Sequence, residues 1–210
     1  MKNIHRYLFV LITAITISSV KVNAQTTTLP LLDSLTLDTM TAFTDLATAL
    51  QNPDKVVKLV LKHEGYTAFP KEIWSFPNLQ YLDLSKNRIS DYPDSLGKLA
   101  NLQVLHLSRN RIESLPREIG DNVNLTVLDI NQNELTMIPP QIGKLKKLKY
   151  LDLWSNNISI FPDEFKDIAN NLQTLDLRVI IIPYDVQNKI RGELPKTTIY
   201  FSPPCHCSDR

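Results

Sequence analysis

Acidic and imidazole side chains recur along this chain at nearly constant spacing. Asp83, His106, Asp129 and Asp152 follow one another by 23 residues, and Asp176 follows by 24. A histidine between two carboxylates can keep its proton above the ordinary pKa near 6.5, which would make a pH-sensitive patch. Asp129, Asp152 and Asp176 together could instead hold a cation. Ordinary solvent-exposed carboxylates are the simpler interpretation, and the one that we favour.

Motifs for catalysis or cofactor binding are missing from the sequence. There is no G-x-S-x-G elbow, no H-E-x-x-H pair and no glycine-rich phosphate loop. The tail Cys205-His206-Cys207 could bind a soft metal or cross-link two chains, but three consecutive ligands cannot complete a tetrahedral site alone. We favour a tail without a site, or a local Cys205–Cys207 bridge. We therefore predict no enzyme activity, no cofactor and no metal site.

The charged residues belong to a repeat that involves several other residue types. A fixed period between 20 and 50 residues indicates a solenoid, in which each coil buries its apolar row only against its neighbours. The columns in register, each with a 23-residue step, are Pro70, Pro93, Pro116, Pro139 and Pro162; Leu79, Leu102, Leu125 and Leu148; Asn87, Asn110, Asn133 and Asn156; and Gly97, Gly120 and Gly143.

Each column has a physical reason. Leu82 and Leu84 alternate with polar residues, which predicts a short strand with one buried face. Successive strands should stack in parallel and build one sheet. The asparagines turn the chain away from the sheet, and we predict that they form a ladder by bonding backbone groups of their own and the neighbouring coil. The prolines fix φ where the chain begins its return.

The repeat unit reads L-x-x-L-x-L-x-x-N-x-I/L-x-x-L/F-P-x-x-I/L-G-x-L-x-x. It resembles the leucine-rich repeat family, in particular its 23-residue L-P-x-x-I class, and the short exported members found in bacteria such as the Bacteroidetes. The resemblance implies an α/β solenoid, a right-handed superhelix with a parallel concave β-sheet and a convex side of 3-10 or short helices. One departure is Asn122, which replaces the convex leucine seen at Leu99 and Leu145; the adjacent Val123 could fill its place.

The solenoid needs a cap at each end, because a terminal coil exposes an apolar cross-section. At the start, residues 40–50 carry apolar side chains with helical spacing and predict one capping helix. At the end, residues 185–192 predict a helix and 197–201 a last strand. Between them, Val179-Ile180-Ile181-Ile182 is predicted to be a buried seam, with self-association as the alternative.

The predicted segments are therefore a signal peptide at 1–24, an N-terminal segment with a capping helix at 25–55, about five full repeats and a partial one at 56–180, a C-terminal cap at 181–202 and a cysteine-containing tail at 203–210. The signal peptide is predicted from a basic start, a 14-residue largely apolar stretch and small residues before position 25. We expect export to the periplasm, the cell surface or the medium, with no membrane span left after cleavage.

Charge argues against nucleic acid as the partner. The chain has 23 basic and 22 acidic residues; without Lys2, Arg6 and Lys21 the balance is 20 against 22, or −2. Nucleic-acid binding needs a clustered basic face, and no such cluster is evident in the sequence.

The concave sheet is the predicted binding surface, because a rigid curved sheet presents a fixed array of side chains. Trp154 stands out there, since the corresponding place is polar in the other repeats and tryptophan is enriched at binding hot spots. We predict a monomer that binds another protein, with a glycan as a further ligand class; an assembly protein joined through its C-terminal cap or cysteine tail is the alternative. The candidate partner-binding residues are Tyr81, Asp83, His106, Arg109, Asp129, Tyr150, Asp152 and Trp154.

Overall fold

The computed structural model describes residues 29–203. Seven parallel strands follow one another in a single sheet whose spatial order is the sequence order. They are β1 (Lys58–Val60), β2 (Tyr81–Asp83), β3 (Val104–His106), β4 (Val127–Asp129), β5 (Tyr150–Asp152), β6 (Thr174–Leu177) and β7 (Thr198–Phe201). Between strands the chain returns through 3-10 helices at Lys71–Ser75, Asp94–Lys98, Arg117–Asp121, Pro140–Lys144 and Asp163–Ile168, and an earlier one spans Pro53–Lys55. The expected solenoid is confirmed.

One continuous core runs the length of the stack, because the same two strand positions point inward in each repeat. Leu82 and Leu84 have no exposed surface, and Leu105 and Leu107 repeat this in the next coil. Phe76 and Phe165 fill the core towards its two ends. Trp74, in the first convex 3-10 helix after β1, is partly buried and packs against this core.

The asparagine column joins each turn to the turn before it. Asn133 Nδ2 donates to the carbonyl oxygens of Leu107 and Ile130 at 3.0 Å each, and its Oδ1 accepts from Ile112 N at 3.0 Å. Asn87, Asn110 and Asn156 repeat this pattern. All four side chains are buried, so these bonds satisfy backbone groups that water cannot reach.

The glycine column marks where convex turns touch. A Cβ atom on Gly120 would lie 2.9 Å from the backbone oxygen of Gln141 in the next coil, and Gly97 and Gly143 are equally crowded. Such a distance is too short for a side-chain carbon, so glycine sets how closely the coils stack. Asn122, also on the convex side, is fully buried at the place that leucine occupies in other repeats. Val123 is half exposed and does not replace the missing leucine. Asn122 Nδ2 instead donates to Leu96 O and Leu99 O.

The N-terminal cap differs from the single helix expected over residues 40–50. Two short helices occur, α1 (Ser34–Thr39) and α2 (Leu46–Leu50), each begun by an aspartate that accepts a backbone N–H three residues on. Phe43 lies between them in extended conformation. Its N–H donates to Lys58 O at 2.9 Å, and its carbonyl accepts from Val60 N at 2.8 Å. The helix is interrupted because the edge of β1 needs backbone partners.

The C-terminal cap contains the expected helix and strand, α3 (Tyr184–Glu193) and β7. The apolar run before α3 is not uniformly buried as expected: Ile180 and Ile182 face the core, whereas Val179 is 61% and Ile181 97% exposed. The predicted signal peptide and Cys205-His206-Cys207 lie outside the described residues. Within residues 29–203 none of the helices has the length and apolar character to cross a bilayer.

Candidate functional site

The parallel register brings the charged column together on the concave sheet. Asp83 pairs in register with His106, His106 with Asp129, Asp129 with Asp152, and Asp152 with Asp176. Each residue therefore lies one strand from the next, as the spacing predicts. The side chains that flank this column decide what it can do.

The aspartates are built into the turns that leave the strands. In each case the carboxylate accepts the backbone N–H two residues further on: Asp83 from Ser85 at 2.9 Å, Asp152 from Trp154 at 3.0 Å and Asp176 from Arg178 at 3.0 Å. These three side chains are also buried, with 4–8% of their surface exposed. The expectation of ordinary exposed carboxylates was therefore wrong. Aspartate is favoured at this place because its short side chain can accept a hydrogen bond from the turn N–H group two residues on, a group that would otherwise need water as its partner.

The second carboxylate oxygen of each aspartate has its own partner. Lys62 Nζ lies 3.0 Å from Asp83 Oδ2, Asn131 Nδ2 donates to Asp152 Oδ2 at 2.8 Å, and the Arg178 guanidinium donates to Asp176 Oδ2 from Nη2 at 2.6 Å and to Oδ1 from Nε at 3.0 Å. Each of these aspartates therefore has its own side-chain partner, and the three carboxylates do not converge on one point. Within the described part of the chain no group of three histidines, cysteines or carboxylates is arranged to hold a metal ion.

His106 lies beside one of its two carboxylate neighbours. Its Nδ1 is 3.1 Å from Asp129 Oδ2, and its ring centroid is 5.4 Å from that of Tyr81. Arg109 is exposed at the rim, where its Nε donates to Gln132 Oε1 at 2.7 Å. Arg109 belongs to a column with left-handed φ after the strands, which includes Lys86 at 59° and Val179 at 57°.

Two aspartates of this column have opposite pKa shifts. Burial raises the pKa of Asp152, and the charges of Asp129 and Asp176 add to this, against hydrogen bonds from Asn131 and Trp154. Burial also acts to raise the pKa of Asp83, but hydrogen bonds from Ser85 and Lys62 outweigh it, so its pKa is lowered. Two aspartates at the same place in the repeat therefore have pKa values shifted in opposite directions, because their neighbouring side chains differ.

The open part of the concave sheet carries aromatic side chains. Tyr150 is 36% exposed, and its hydroxyl donates to Asp152 at 3.4 Å. Burial raises the pKa of Tyr150 to about 12, with the Asp152 charge as the next cause, so it remains a donor at neutral pH. Trp154 is partly exposed. We define the open concave patch as Asp129, Asn131, Tyr150, Trp154, Arg178 and Tyr200.

Tyr200 is a member of this patch that sequence reasoning missed. It lies on β7 in register with Asp176, is 47% exposed, and has the Arg178 guanidinium 5.5 Å from its ring. The signal was present in the sequence, because Tyr200 follows Asp176 by 24 residues, as Asp176 follows Asp152.

The other part of the concave sheet is covered by the chain itself. Residues 29–40 cross strands β1 to β3, and Leu37 forms an apolar cluster with Val57 and Val104. Tyr81, predicted to face a partner, packs against this cluster and is half-buried. Burial raises its pKa to about 12. The predicted residues thus divide between a covered region, with Tyr81, and an open region, with Tyr150 and Trp154.

Comparison with known families agrees with this architecture. A leucine-rich repeat region model matches residues 94–198, half of the chain, and a second leucine-rich repeat model matches residues 54–119. The chain belongs to the leucine-rich repeat family. A search of curated proteins gave no match.

Solved structures include similar solenoids. A leucine-rich repeat protein of Leptospira interrogans is 29% identical with a TM-score of 0.61, over 78% of this chain and 53% of the other. The chain thus spans about half the length of that protein. The PEPR1–AtPEP1 structure is 28% identical with a TM-score of 0.61, over 77% of this chain and 22% of the other.

Proposed function

We propose that this chain is a non-enzymatic binding module that docks another protein on the open concave patch. The observation that carries the proposal is the pair Tyr150, on β5, and Trp154, two residues after the end of β5, with Tyr200 exposed on β7, two strands away. Aromatic side chains offer large contact area at a low cost in conformational entropy and are enriched at the centres of protein interfaces.

The polar side chains of the patch support a specific protein contact. Asn131, Arg178 and the Tyr150 hydroxyl each already bond a concave aspartate, so their orientations are fixed before a partner arrives. Pre-organised groups lose less freedom on binding. The predicted signal peptide supports placing the binding event outside the cytoplasm, and this location is part of the proposal.

A photo-crosslinking side chain placed at position 200 tests the proposal. In the presence of the extracytoplasmic proteins of the source organism, we expect a covalent adduct with a protein from position 200 and none from position 144, which is exposed on the convex side. The adduct should weaken when Trp154→Ala is added. An adduct from position 144 alone, or a glycan captured in place of a protein, would refute the proposed partner class.

Self-association through the C-terminal cap is a second candidate function. Its specific support is the exposure of Ile181 and Val179 beside β7, the last strand of the sheet. A groove of about 410 Å³ lies against this run and includes Ser202 and Pro203. Light scattering after size-exclusion, with and without reductant, separates an apolar contact from cross-linking by the cysteine tail.

A further inference from the structure

The segment that covers the concave sheet is held there as a bound peptide would be. We call residues 29–40 the N-terminal strap. Its backbone is contacted by side-chain amides: Leu29 N donates to Asn78 Oδ1 at 2.7 Å, and Leu32 N donates to Gln80 Oε1 at 2.8 Å. Its carbonyls are bonded too, since Gln80 Nε2 donates to Pro30 O at 3.0 Å and Gln103 Nε2 to Leu32 O at 2.9 Å.

Gln80 and Gln103 form a matched pair beneath the strap. They occupy the same place in adjacent repeats, and Gln103 Nε2 also donates to Gln80 Oε1 at 2.9 Å. Both are buried, Gln80 completely. This bond fixes both amide orientations, so two donors, Gln80 Nε2 and Gln103 Nε2, and one acceptor, Gln80 Oε1, face the backbone of an extended segment. Such contacts read a main chain without regard to its side chains.

A buried lysine binds the end of the strap. Lys58 Nζ donates to Leu37 O at 2.8 Å and to Asp38 O at 2.9 Å, which are carbonyls in the last turn of α1. The last carbonyls of a helix have no partner within the helix, so an outside donor is favourable there. Lys58 is 9% exposed, and its Nζ lies 4.4 Å from the centre of the Tyr81 ring.

Leu37 is the side-chain anchor of the strap. It is 1% exposed in its cluster with Val57 and Val104, whereas Leu35 on the same helix is 71% exposed. Leu29 and Leu31 are each 40% exposed. Leu32 and Met40 pack against the same cluster but are only partly buried, so Leu37 is the one fully buried side chain of a segment whose other residues are mostly exposed. Segments with so few buried contacts open at lower free energy than the core to which they are attached.

We propose that the surface beneath the strap is a peptide-binding groove, formed by Val57, Lys58, Asn78, Gln80, Gln103 and Val104, and that the strap is its exchangeable intramolecular ligand. The groove accepts an extended backbone at the two glutamines, followed five residues later by a leucine between Val57 and Val104. While the strap is bound, docking is limited to the open concave patch. The groove and its ligand are independent of whether a partner binds that patch.

Supplying the strap in trans tests the groove directly. A fluorescent peptide of residues 29–40 should bind the full chain weakly, because the tethered strap is present at high effective concentration and occupies the groove. Leu37→Asp in the full chain should weaken the tethered copy, and the free wild-type peptide should then bind roughly tenfold more tightly or better. The matched control is Leu35→Asp, which places the same charge on the exposed side of the same helix.

Further variants identify the groove as the binding site. In the Leu37→Asp chain, adding Gln80→Ala should remove peptide binding, and a peptide that itself carries the aspartate should not bind. The proposal is overturned if the Leu37→Asp and Leu35→Asp chains bind the peptide equally, or if Gln80→Ala leaves binding unchanged.

Hydrogen exchange on the unmodified chain gives an independent answer, should Leu37→Asp fail to fold. An exchangeable strap requires the Leu32 amide, bonded to Gln80, to exchange at least tenfold faster than the Ile112 amide, bonded to Asn133 in the ladder. Equal exchange rates would mean that the strap leaves only when the solenoid unfolds, and would overturn the proposal.

Discussion

The two halves of the concave sheet are made by the same repeat and yet present different surfaces. The first residues of β1, β2 and β3 are Lys58, Tyr81 and Val104, and all three lie beneath or against the N-terminal strap. Over β5 the same position holds Tyr150, which is open to solvent. The repeat fixes where a side chain points; a segment outside the repeats decides whether it is available.

The ladder beneath both halves should give the largest effect on stability. Asn133→Ala removes a side chain that satisfies Leu107 O, Ile130 O and Ile112 N, and leaving such buried groups unpaired costs about 1–3 kcal/mol each. We expect a clear fall in the denaturation midpoint, with both halves loosened together.

Asp94→Ala is the matched control for the ladder, because Asp94 is exposed on the convex side. Its midpoint should stay close to wild type, within about 0.5 kcal/mol. Similar, small shifts for both variants would show that the ladder contributes little to stability.

Binding should separate the open half from the covered half. Trp154→Ala should weaken a captured protein partner by about 2 kcal/mol, or roughly thirtyfold, because hot-spot aromatics have effects of that size. Tyr81→Ala should have a much smaller effect while the strap is bound, since that ring packs against the Leu37 cluster. Titration calorimetry gives both values.

Lys98→Ala and Lys144→Ala, exposed on the convex side, are the controls for binding. They should leave affinity unchanged, and the Trp154→Ala chain should melt close to wild type. Loss of binding in the convex variants alone would place the docking surface elsewhere. Unfolding of the Trp154→Ala chain would mean that its partly buried indole is structural.

The sequence was a good guide wherever the repeat itself determines the structure. Leu82 and Asn133 occupy places whose chemistry follows from stacking one coil on the next, and the short strands and the role of the asparagines could be proposed from them. The glycine column containing Gly120 was visible as a repeat, but the crowding that requires it is seen only in the structure. Tyr200 also follows the step, although it lies beyond the recognisable repeats.

Contacts between the repeats and the flanking segments could not be predicted in this way. Nothing in the spacing links Leu32 to Gln103, which are 71 residues apart and meet only because the strap folds back. The burial of Asp152 was missed for a different reason. A Leu-Asp-Leu pattern predicts alternating buried and exposed side chains, so the aspartate was expected to be exposed. The Trp154 N–H group and the Asn131 side chain that bond its carboxylate are seen only in the folded structure.

Carboxylate titrations should distinguish two aspartates at one repeat position. Followed by carbon NMR, Asp83 should titrate below the ordinary value of 3.8 and Asp152 above it. Asp83 therefore contributes stability above pH 3.8 that is lost as the pH falls through its lowered pKa. Asp152 acts in the opposite sense: its neutral form is favoured in the fold, so its contribution is present below pH 3.8 and is lost as the pH rises through its raised pKa.

Substitution gives a check on this difference in sign. The stability lost in Asp83→Asn should shrink as the pH falls below 3.8, because the wild-type carboxylate is then protonated as well. For Asp152→Asn, the unfolding free energy relative to wild type should be more favourable at pH 7 than at pH 3, because the wild-type carboxylate is charged at pH 7. Identical pH profiles for the two variants would contradict the assignment of opposite shifts.

The two edges of the sheet make a second contrast, with the smallest expected effect on the fold. At the first edge Phe43 makes two backbone hydrogen bonds to β1, at Lys58 and Val60, whereas β7 has β6 as its one strand neighbour among residues 29–203. Ile181 is 97% exposed near β7, so Ile181→Asp should change the unfolding free energy by less than about 0.5 kcal/mol.

If the C-terminal cap joins two copies, Ile181→Asp should dissociate them in light scattering, while Val123→Asp, at a half-exposed residue on the convex side, should not. A wild-type chain that is monomeric at high concentration would rule out this assembly. A dimer that survives Ile181→Asp and dissociates only with reductant would assign the contact to the cysteine tail instead.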